Sequence, residues 1–145
     1  MTFIHHNFYN GFQAGAMDTD PWLAWLENSD ACVLIGDLNS LSRTDASPLQ
    51  YDRHREALPR YRQNDGISFS VPDQLTATGF TDGTASAGCI PAVPTKIGRK
   101  SEQNIPLRPD YCLSRGVEIS AQVVRNGELA ILSDHYPLQG NLSRP

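Results

Sequence analysis

Three short stretches of this chain combine side chains that could bind a phosphate or a metal ion. Gly36-Asp-Leu-Asn39 ends one apolar run, Pro109-Asp-Tyr-Cys-Leu113 begins another, and Ser133-Asp-His135 comes near the end of the sequence. Carboxylate and carboxamide oxygens suit hard cations, and an imidazole beside a carboxylate can transfer protons. The rest of the chain has to position these residues.

Asp37 and Asn39 follow a segment that is typical of a buried strand. The five residues from Ala31 to Ile35 are apolar, two of them are β-branched, and turn-forming residues come directly after them. In an extended chain the side chains of Asp37 and Asn39 would point to the same side, so both could face one phosphate or divalent metal. The alternative is an ordinary turn, because Gly, Asp and Asn also end strands that bind nothing.

The histidines are the candidate proton-transfer groups. Asp134 could be a metal ligand while the adjacent His135 transfers a proton, and a second aspartate could fix the tautomer of its imidazole. Ser-Asp-His by itself occurs by chance in many proteins. At the other end of the chain His5 and His6 are adjacent, so in a strand only one of them could join a site.

Composition limits the class of protein. A chain of 145 residues predicts one domain, and its formal charge of −4 argues against a protein that coats nucleic acid or anionic membrane by charge alone, although it does not exclude a nuclease. Cys32, Cys89 and Cys112 are widely spaced, which predicts neither a disulfide framework nor a zinc knuckle. Cys32 and Cys112 are expected to be buried. No apolar run approaches the roughly 20 residues of a membrane span.

A β-α-β unit is predicted for the first part of the chain. Thr2–His5 has the pattern of the end of a strand and starts without a turn or cap, so we expect further sequence upstream. A helix is predicted over Asp20–Asn28, with Thr19 or Asp20 as its cap and Pro21 in its first turn. The buried strand that ends at Asp37 follows, and ligands of such sheets bind beyond the carboxyl ends of strands.

The middle of the chain is polar and weakly patterned. Arg53–Arg55 and Arg60–Arg62 form a basic segment that fits a phosphate-binding loop or, as the preferred alternative, a solvated helical surface. A short helix is predicted from Ser70 to Gly79, and a long loop from Thr81 to Asn104.

The last third returns to strand patterns. An apolar segment starts at Asp110, and Val117–Val124 alternates as a half-buried strand does. Asn126-Gly127 predicts a turn before Leu129–Leu132.

The three polar stretches, in this order and at these separations, resemble the endonuclease/exonuclease/phosphatase superfamily. Its members are metal-dependent phosphodiesterases and phosphomonoesterases with the deoxyribonuclease-like fold. The resemblance extends over essentially the whole chain but matches only the C-terminal part of a typical domain. It implies an α+β fold, a deoxyribonuclease-like α/β sandwich, in which residues 1–145 form an incomplete domain without its N-terminal half.

The resemblance also implies roles for individual residues. Asp37 matches the aspartate that activates or orients the attacking water, often near the metal, and Asn39 matches the asparagine that holds the phosphate. Asp134 matches an aspartate of the metal site. His135 matches the histidine that contacts the phosphate and transfers a proton, and Asp110 matches the carboxylate that orients it. A further family histidine corresponds to His5, with His6 as the alternative.

Magnesium or manganese is the implied cofactor, because the candidate ligands are oxygen donors without a thiolate set. The first half of the family domain normally supplies an asparagine and a glutamate that is the principal metal ligand. Neither has a counterpart here, since Glu27 lies in the predicted helix after Trp25 and Glu56 lies in the basic segment. One sheet is also expected to lack the partner for its apolar face.

Two hypotheses of function follow from these expectations. The first is a metal-dependent phosphoric ester hydrolase of the nuclease or phosphodiesterase type, with phosphodiesters or phosphomonoesters, nucleic acid among them, as substrates. The second is a catalytically incomplete phosphate-binding or interaction module. In either, a complementing chain or a second copy of this chain could complete the site.

Overall fold

The computed structural model describes residues 2–5, 28–45, 48–57, 69–88, 90–97 and 106–143. Its elements in chain order are β1 (Thr2–His5), β2 (Cys32–Asp37), α1 (Pro48–Ala57), α2 (Ser70–Ala77), β3 (Thr81–Asp82), β4 (Asp110–Arg115), β5 (Ile119–Val123) and β6 (Leu138–Leu142). Two 3-10 turns cover Ala85–Ala87 and Leu129–Ile131. The chain therefore has the mixed helix-and-sheet architecture of the α+β class. Within these ranges, the helices are too short and too polar to cross a membrane.

Two sheets organise the described residues. The larger has the strand order β1-β2-β4-β3, with β1 parallel to β2 and the other pairs antiparallel. The smaller is the antiparallel pair β5-β6. The parallel pairing of β1 with β2 is what the predicted β-α-β unit requires, while its predicted helix over Asp20–Asn28 lies outside the described residues except for Asn28, which is in a turn.

The two faces of the larger sheet are covered by different layers. Cys32 and Leu34 of β2 pack with Val71 and Leu75 of α2, whereas Val33 packs on the β5-β6 pair. Side chains alternate between faces along a strand, and burying each large apolar side chain contributes roughly 1.5–3 kcal/mol. The apolar face that was expected to lack a partner is thus covered in part by the β5-β6 pair.

The β5-β6 pair, which we call the hairpin layer, is also fixed by backbone hydrogen bonds around Gly83. Gly83 N donates to Cys112 O, and Ala121 N donates to Gly83 O, both at 2.8 Å. A Cβ at Gly83 would lie 2.7 Å from the carbonyl oxygen of Ile119. The small residue therefore lets β5 approach β3 and β4 closely, which brings the second sheet over the first.

Both helices agree with their sequence patterns. In α2, Val71 and Leu75 lie one turn apart and are buried, and the helix is followed by Gly79 with φ of +89°, as the predicted stop requires. In α1, Asp52, Arg53 and Glu56 are exposed, so at these positions the helix has a solvated surface. Arg60–Arg62 lies outside the described residues.

Three details of the predicted elements were wrong. Thr81–Asp82, placed in a long loop, is a short strand because it pairs with Leu113 and Ser114 at the edge of β4. Leu129–Ile131, in the predicted strand region, is a 3-10 turn, and Asn126 Oδ1 accepts a hydrogen bond from Leu129 N at 2.7 Å at its start. Strand β6 was missed because Gln139, Gly140 and Asn141 obscure its alternation.

Candidate functional site

Two carboxylates lie opposite one another where β2 ends and β4 begins. Asp37 is the last residue of β2 and Asp110 the first of β4, and the two are register partners. Asp37 shares the face of Val33, and Asp110 shares that of Cys112, so both belong to the face covered by the hairpin layer. Like charges directly opposite in antiparallel strands destabilise the pair unless another charge compensates them.

Asn39 reaches this place by a turn rather than by extended chain. Its φ is +47°, its backbone N–H donates to Asp37 Oδ1 at 2.7 Å, and its side-chain Nδ2 donates to Asp37 Oδ2 at 3.3 Å. The expectation that an extended chain aligns the two side chains was therefore wrong. An aspartate that accepts from the backbone two residues on is a common turn, and asparagine tolerates the left-handed conformation that the turn needs.

His135 compensates the two carboxylates from the segment before β6. Its Nδ1 lies 2.7 Å from Asp110 Oδ2. Burial acts to lower the pKa of His135, but the hydrogen bond and charge of Asp110, with the charges of Asp37 and Asp134, outweigh burial, so the pKa is raised above the ordinary value for histidine. With Nδ1 engaged by Asp110, Nε2 is the nitrogen that can exchange a proton with a bound molecule.

The segment that carries His135 is held by contacts on both sides. Thr95 Oγ1 donates to Ser133 O at 2.5 Å, and Tyr136 N donates to Ala92 O at 2.9 Å. Thr95 is completely buried, and Ala92 is too. The imidazole is therefore presented by a fixed backbone rather than by an unsupported loop.

Asp134 and His5 are placed less closely. Asp134 is exposed and accepts from Ser133 Oγ at 3.3 Å, although its charge still acts on His135. His5 ends β1 and pairs in register with Ile35, so its backbone lies one strand away from the end of β2. The alternative His6 lies outside the described residues.

A pocket of about 510 Å³ opens beside the Asp110–His135 pair. Its polar lining comes from Asp110, Ser133 and His135. Its remaining walls come from Ile35, Gly36, Leu129, Leu132, Tyr136, Pro137 and Leu138. The volume and the mixture of apolar walls with a few convergent polar groups are typical of small-molecule sites.

The described residues do not form a complete metal site. Asp37 and Asp134 supply oxygen donors of the kind that Mg²⁺ or Mn²⁺ prefers. However, among the side chains that the structure describes, no three His, Cys, Asp or Glu residues converge closely enough to hold an ion. A resident metal would need further ligands from elsewhere.

Arg108, two residues before Asp110, is the centre of a buried ionic cluster that sequence reasoning missed. Arg108 is 2% exposed; its guanidinium binds Asp45 through Nε at 3.2 Å and NH2 at 2.8 Å, and binds Asp82 through NH2 at 2.7 Å. It also donates to Thr84 Oγ1 and stacks 4.5 Å from the ring centre of Tyr111. The two carboxylates raise the pKa of Arg108 despite its burial, which by itself acts to lower it.

This cluster ties the turn after β2 to the strand that carries Asp110. Asp45 belongs to the turn segment, and Arg108 precedes Asp110 by two residues. Leu38 N also donates to Pro109 O at 2.9 Å. No local signal reveals the cluster, because Asp45 is 63 residues from Arg108 in the sequence.

No protein-family model matches the chain, and no curated protein matches it significantly.

Proposed function

We propose that this chain is the C-terminal part of a domain of the endonuclease/exonuclease/phosphatase type, with the deoxyribonuclease-like fold, and that it hydrolyses phosphoric esters. The observation that supports this proposal best is the 2.7 Å contact between His135 Nδ1 and Asp110 Oδ2, beside the carboxylate of Asp37. An imidazole oriented by one aspartate next to a second aspartate has the parts needed for acid and base catalysis.

The proposed reaction uses these groups in one displacement at phosphorus. Asp37 accepts a proton from a water molecule, the oxygen of that water bonds to phosphorus, and the bond from phosphorus to the ester oxygen breaks. The departing oxygen takes a proton from Nε2 of protonated His135. Asn39 contacts the phosphate through its carboxamide, and Asp110 keeps His135 in the required orientation and tautomer.

We propose that the hydrolysis requires Mg²⁺ or Mn²⁺. Such an ion would neutralise charge on the phosphate oxygens. Among the described residues, Asp37 and Asp134 are the ligands that this chain would offer, and a complementing chain or a second copy would supply further ones. Binding of the ion can be followed without turnover, because a nearby divalent cation opposes protonation of His135 and should lower its pKa in an NMR titration.

Hydrolysis of bis(4-nitrophenyl) phosphate and of plasmid DNA, with Mg²⁺ or Mn²⁺, tests the proposal. We expect His135→Ala and Asp37→Asn each to reduce the rate by at least about 100-fold. Asp52→Asn is the control, since Asp52 is an exposed carboxylate on α1. Turnover that survives in both site variants would contradict the assignment.

The incomplete set of metal ligands among the residues that the structure describes favours a second candidate, a phosphate-binding module without turnover. It predicts that the folded chain binds inorganic phosphate near His135, detected by NMR shifts that His135→Ala abolishes, while no ester is hydrolysed with either metal. Hydrolysis that depends on His135 would exclude this candidate.

A further inference from the structure

The pocket beside His135 has one strongly apolar side. Leu129 and Leu132 come from the 3-10 turn region, and Tyr136, Pro137 and Leu138 lead from His135 into β6. Leu132 is 72% exposed. An exposed leucine at the rim of a concave apolar wall is typical of a surface that becomes covered when a ligand binds.

The wall is built on fixed backbone. The turn over Leu129–Ile131 begins with the hydrogen bond from Leu129 N to Asn126 Oδ1, and Ala130 in its centre is 2% exposed. Ala130 O accepts from Lys96 N at 3.0 Å. Leu132 is therefore exposed by the geometry of an anchored turn, and the apolar wall exists before any ligand arrives.

The described residues that line the pocket include the carboxylate of Asp110 and neither a lysine nor an arginine, a lining that does not suit a nucleic acid strand. Asp110 lines it, and Asp37 and Asp134 are near enough to act on His135. Arg125 stacks 5.0 Å from the ring centre of Tyr136, and the exposed Lys96 is joined through its backbone to Ala130, but neither cation lines the pocket. A nucleic acid backbone is bound by several cationic groups in a row, and binding weakens steeply when they are few.

We propose that this apolar wall binds an aryl or alkyl ester group, so that the substrates of the site are small apolar phosphoesters rather than nucleic acid. The phosphate would lie at His135 and the apolar group against Leu129, Leu132 and Leu138. The inference rests on the proposed function, since it takes His135 as the group that contacts the phosphate. It adds the class of molecule that the pocket selects.

The first test measures binding without turnover. Phenylphosphonate and methylphosphonate carry the same anionic group and differ in the size of the apolar part, and neither is an ester. We expect phenylphosphonate to bind about tenfold more tightly, because its ring loses contact with water against the wall. Titration calorimetry with and without Mg²⁺ gives the affinities, and NMR shifts of the Leu129, Leu132 and His135 amides locate the site.

Leu132→Ser tests the wall, and Leu142→Ser is its matched control. Leu142 is 40% exposed on β6 and does not line the pocket. Both leucines are exposed, so neither substitution should unfold the chain. We expect the ratio of the two phosphonate affinities to fall towards one in Leu132→Ser and to stay at the wild-type value in Leu142→Ser. An unchanged ratio in Leu132→Ser would overturn the proposal.

The second test compares kcat/KM for bis(4-nitrophenyl) phosphate with that for a thymidine dinucleotide. A clear preference for the aryl diester that is reduced in Leu132→Ser supports the inference. A preference for the dinucleotide overturns the inference while the proposed function stands. If neither phosphonate binds and neither ester is hydrolysed, the proposed function fails as well, so the two failures are distinguishable.

Discussion

The facing pair Asp37 and Asp110 is the feature that most needs an explanation at the level of single residues. Two carboxylates opposite one another in neighbouring strands repel, and a fold without use for them would gain stability by replacing one. His135 offsets the repulsion through its contact with Asp110. Clusters in which charges shift the pKa of a histidine occur preferentially at functional sites, which agrees with the proposed hydrolase.

Asp110→Asn should lower the pKa of His135. The native pKa is raised because Asp110 accepts a hydrogen bond and adds its charge, so the variant keeps burial, which lowers the pKa, and loses the main opposing effects. NMR titration of the ring protons, without divalent ions, measures this. Asp134→Asn is the control: Asp134 is exposed and acts by charge alone, so its removal should lower the pKa less. A larger effect of Asp134→Asn would contradict the assignment.

Asn39 illustrates what sequence reasoning could and could not predict at this scale. The residue types Gly36, Asp37 and Asn39 correctly predicted the end of a buried strand. They did not reveal which of two geometries follows, because asparagine fits both an extended strand end and a left-handed turn. The structure has the turn, in which the carboxylate of Asp37 accepts hydrogen bonds from the backbone N–H and from the side-chain amide of Asn39.

At the scale of elements, Arg108 holds the turn after β2 and strand β3 against β4. Arg108→Met should reduce the free energy of unfolding by about 3–5 kcal/mol, because Asp45 and Asp82 would be left partly buried without their cation. Urea unfolding measures the change. Arg43→Met is the matched control, since the Arg43–Asp73 pair is exposed and should contribute about 0–1 kcal/mol. Equal losses in both variants would contradict the role of Arg108.

The turn between β4 and β5 should not tolerate a side chain at Gly116. Its φ is +69°, and a Cβ would lie 1.9 Å from the carbonyl oxygen of Asp30. Gly116→Ala should therefore destabilise the fold by about 2 kcal/mol or more. Gly127→Ala is the control, because no atom lies within 4 Å of its Cβ position. Similar thermal unfolding of the two variants would show that the turn relaxes freely.

Strands and helices were predictable from the sequence where buried residues recur with a regular spacing, and were not predictable where no such spacing is present. β5 alternates buried and exposed residues over Ile119–Val123, and α2 buries Val71 and Leu75 at helical spacing. β3 has two residues and the turn over Leu129–Ile131 has three, which is too short for any period. β3 depends on pairing with β4, and the turn depends on the hydrogen bond that Leu129 N donates to Asn126 Oδ1.

At the scale of the whole molecule, the sequence indicated which residues could act together but not what supports them. Asp110 and His135 were named from their types and order, and the structure places them in contact. The Arg108 cluster joins residues from three distant segments, and the apolar wall of the pocket depends on how an anchored turn lies beside β2. Both arise from tertiary packing, which no local pattern encodes.

The reactivity of two buried thiols tests whether the two sheets unfold together. Cys32 is completely buried beneath α2, and Cys112 is completely buried beneath the hairpin layer. Burial raises the pKa of Cys112 to about 11 and also raises the pKa of Cys32, so at pH 8 both native thiols should be protonated and unreactive. The native Cys112 thiol keeps its proton to a higher pH than the unfolded thiol does. Its contribution to the free energy of unfolding should therefore be lost as the pH rises from about 9 towards 11.

In a Cys89→Ser variant at pH 8, Cys32 and Cys112 should become reactive to a thiol reagent at the same urea concentration. β2 and β4 are hydrogen-bonded neighbours, and the bonds of Gly83 to Cys112 and Ala121 join the hairpin layer to the larger sheet. Opening one face should therefore disrupt the other. Peptide mass spectrometry after labelling measures each thiol separately. Reaction of Cys112 at a distinctly lower urea concentration would mean that the hairpin layer separates first and that the two sheets do not unfold as one unit.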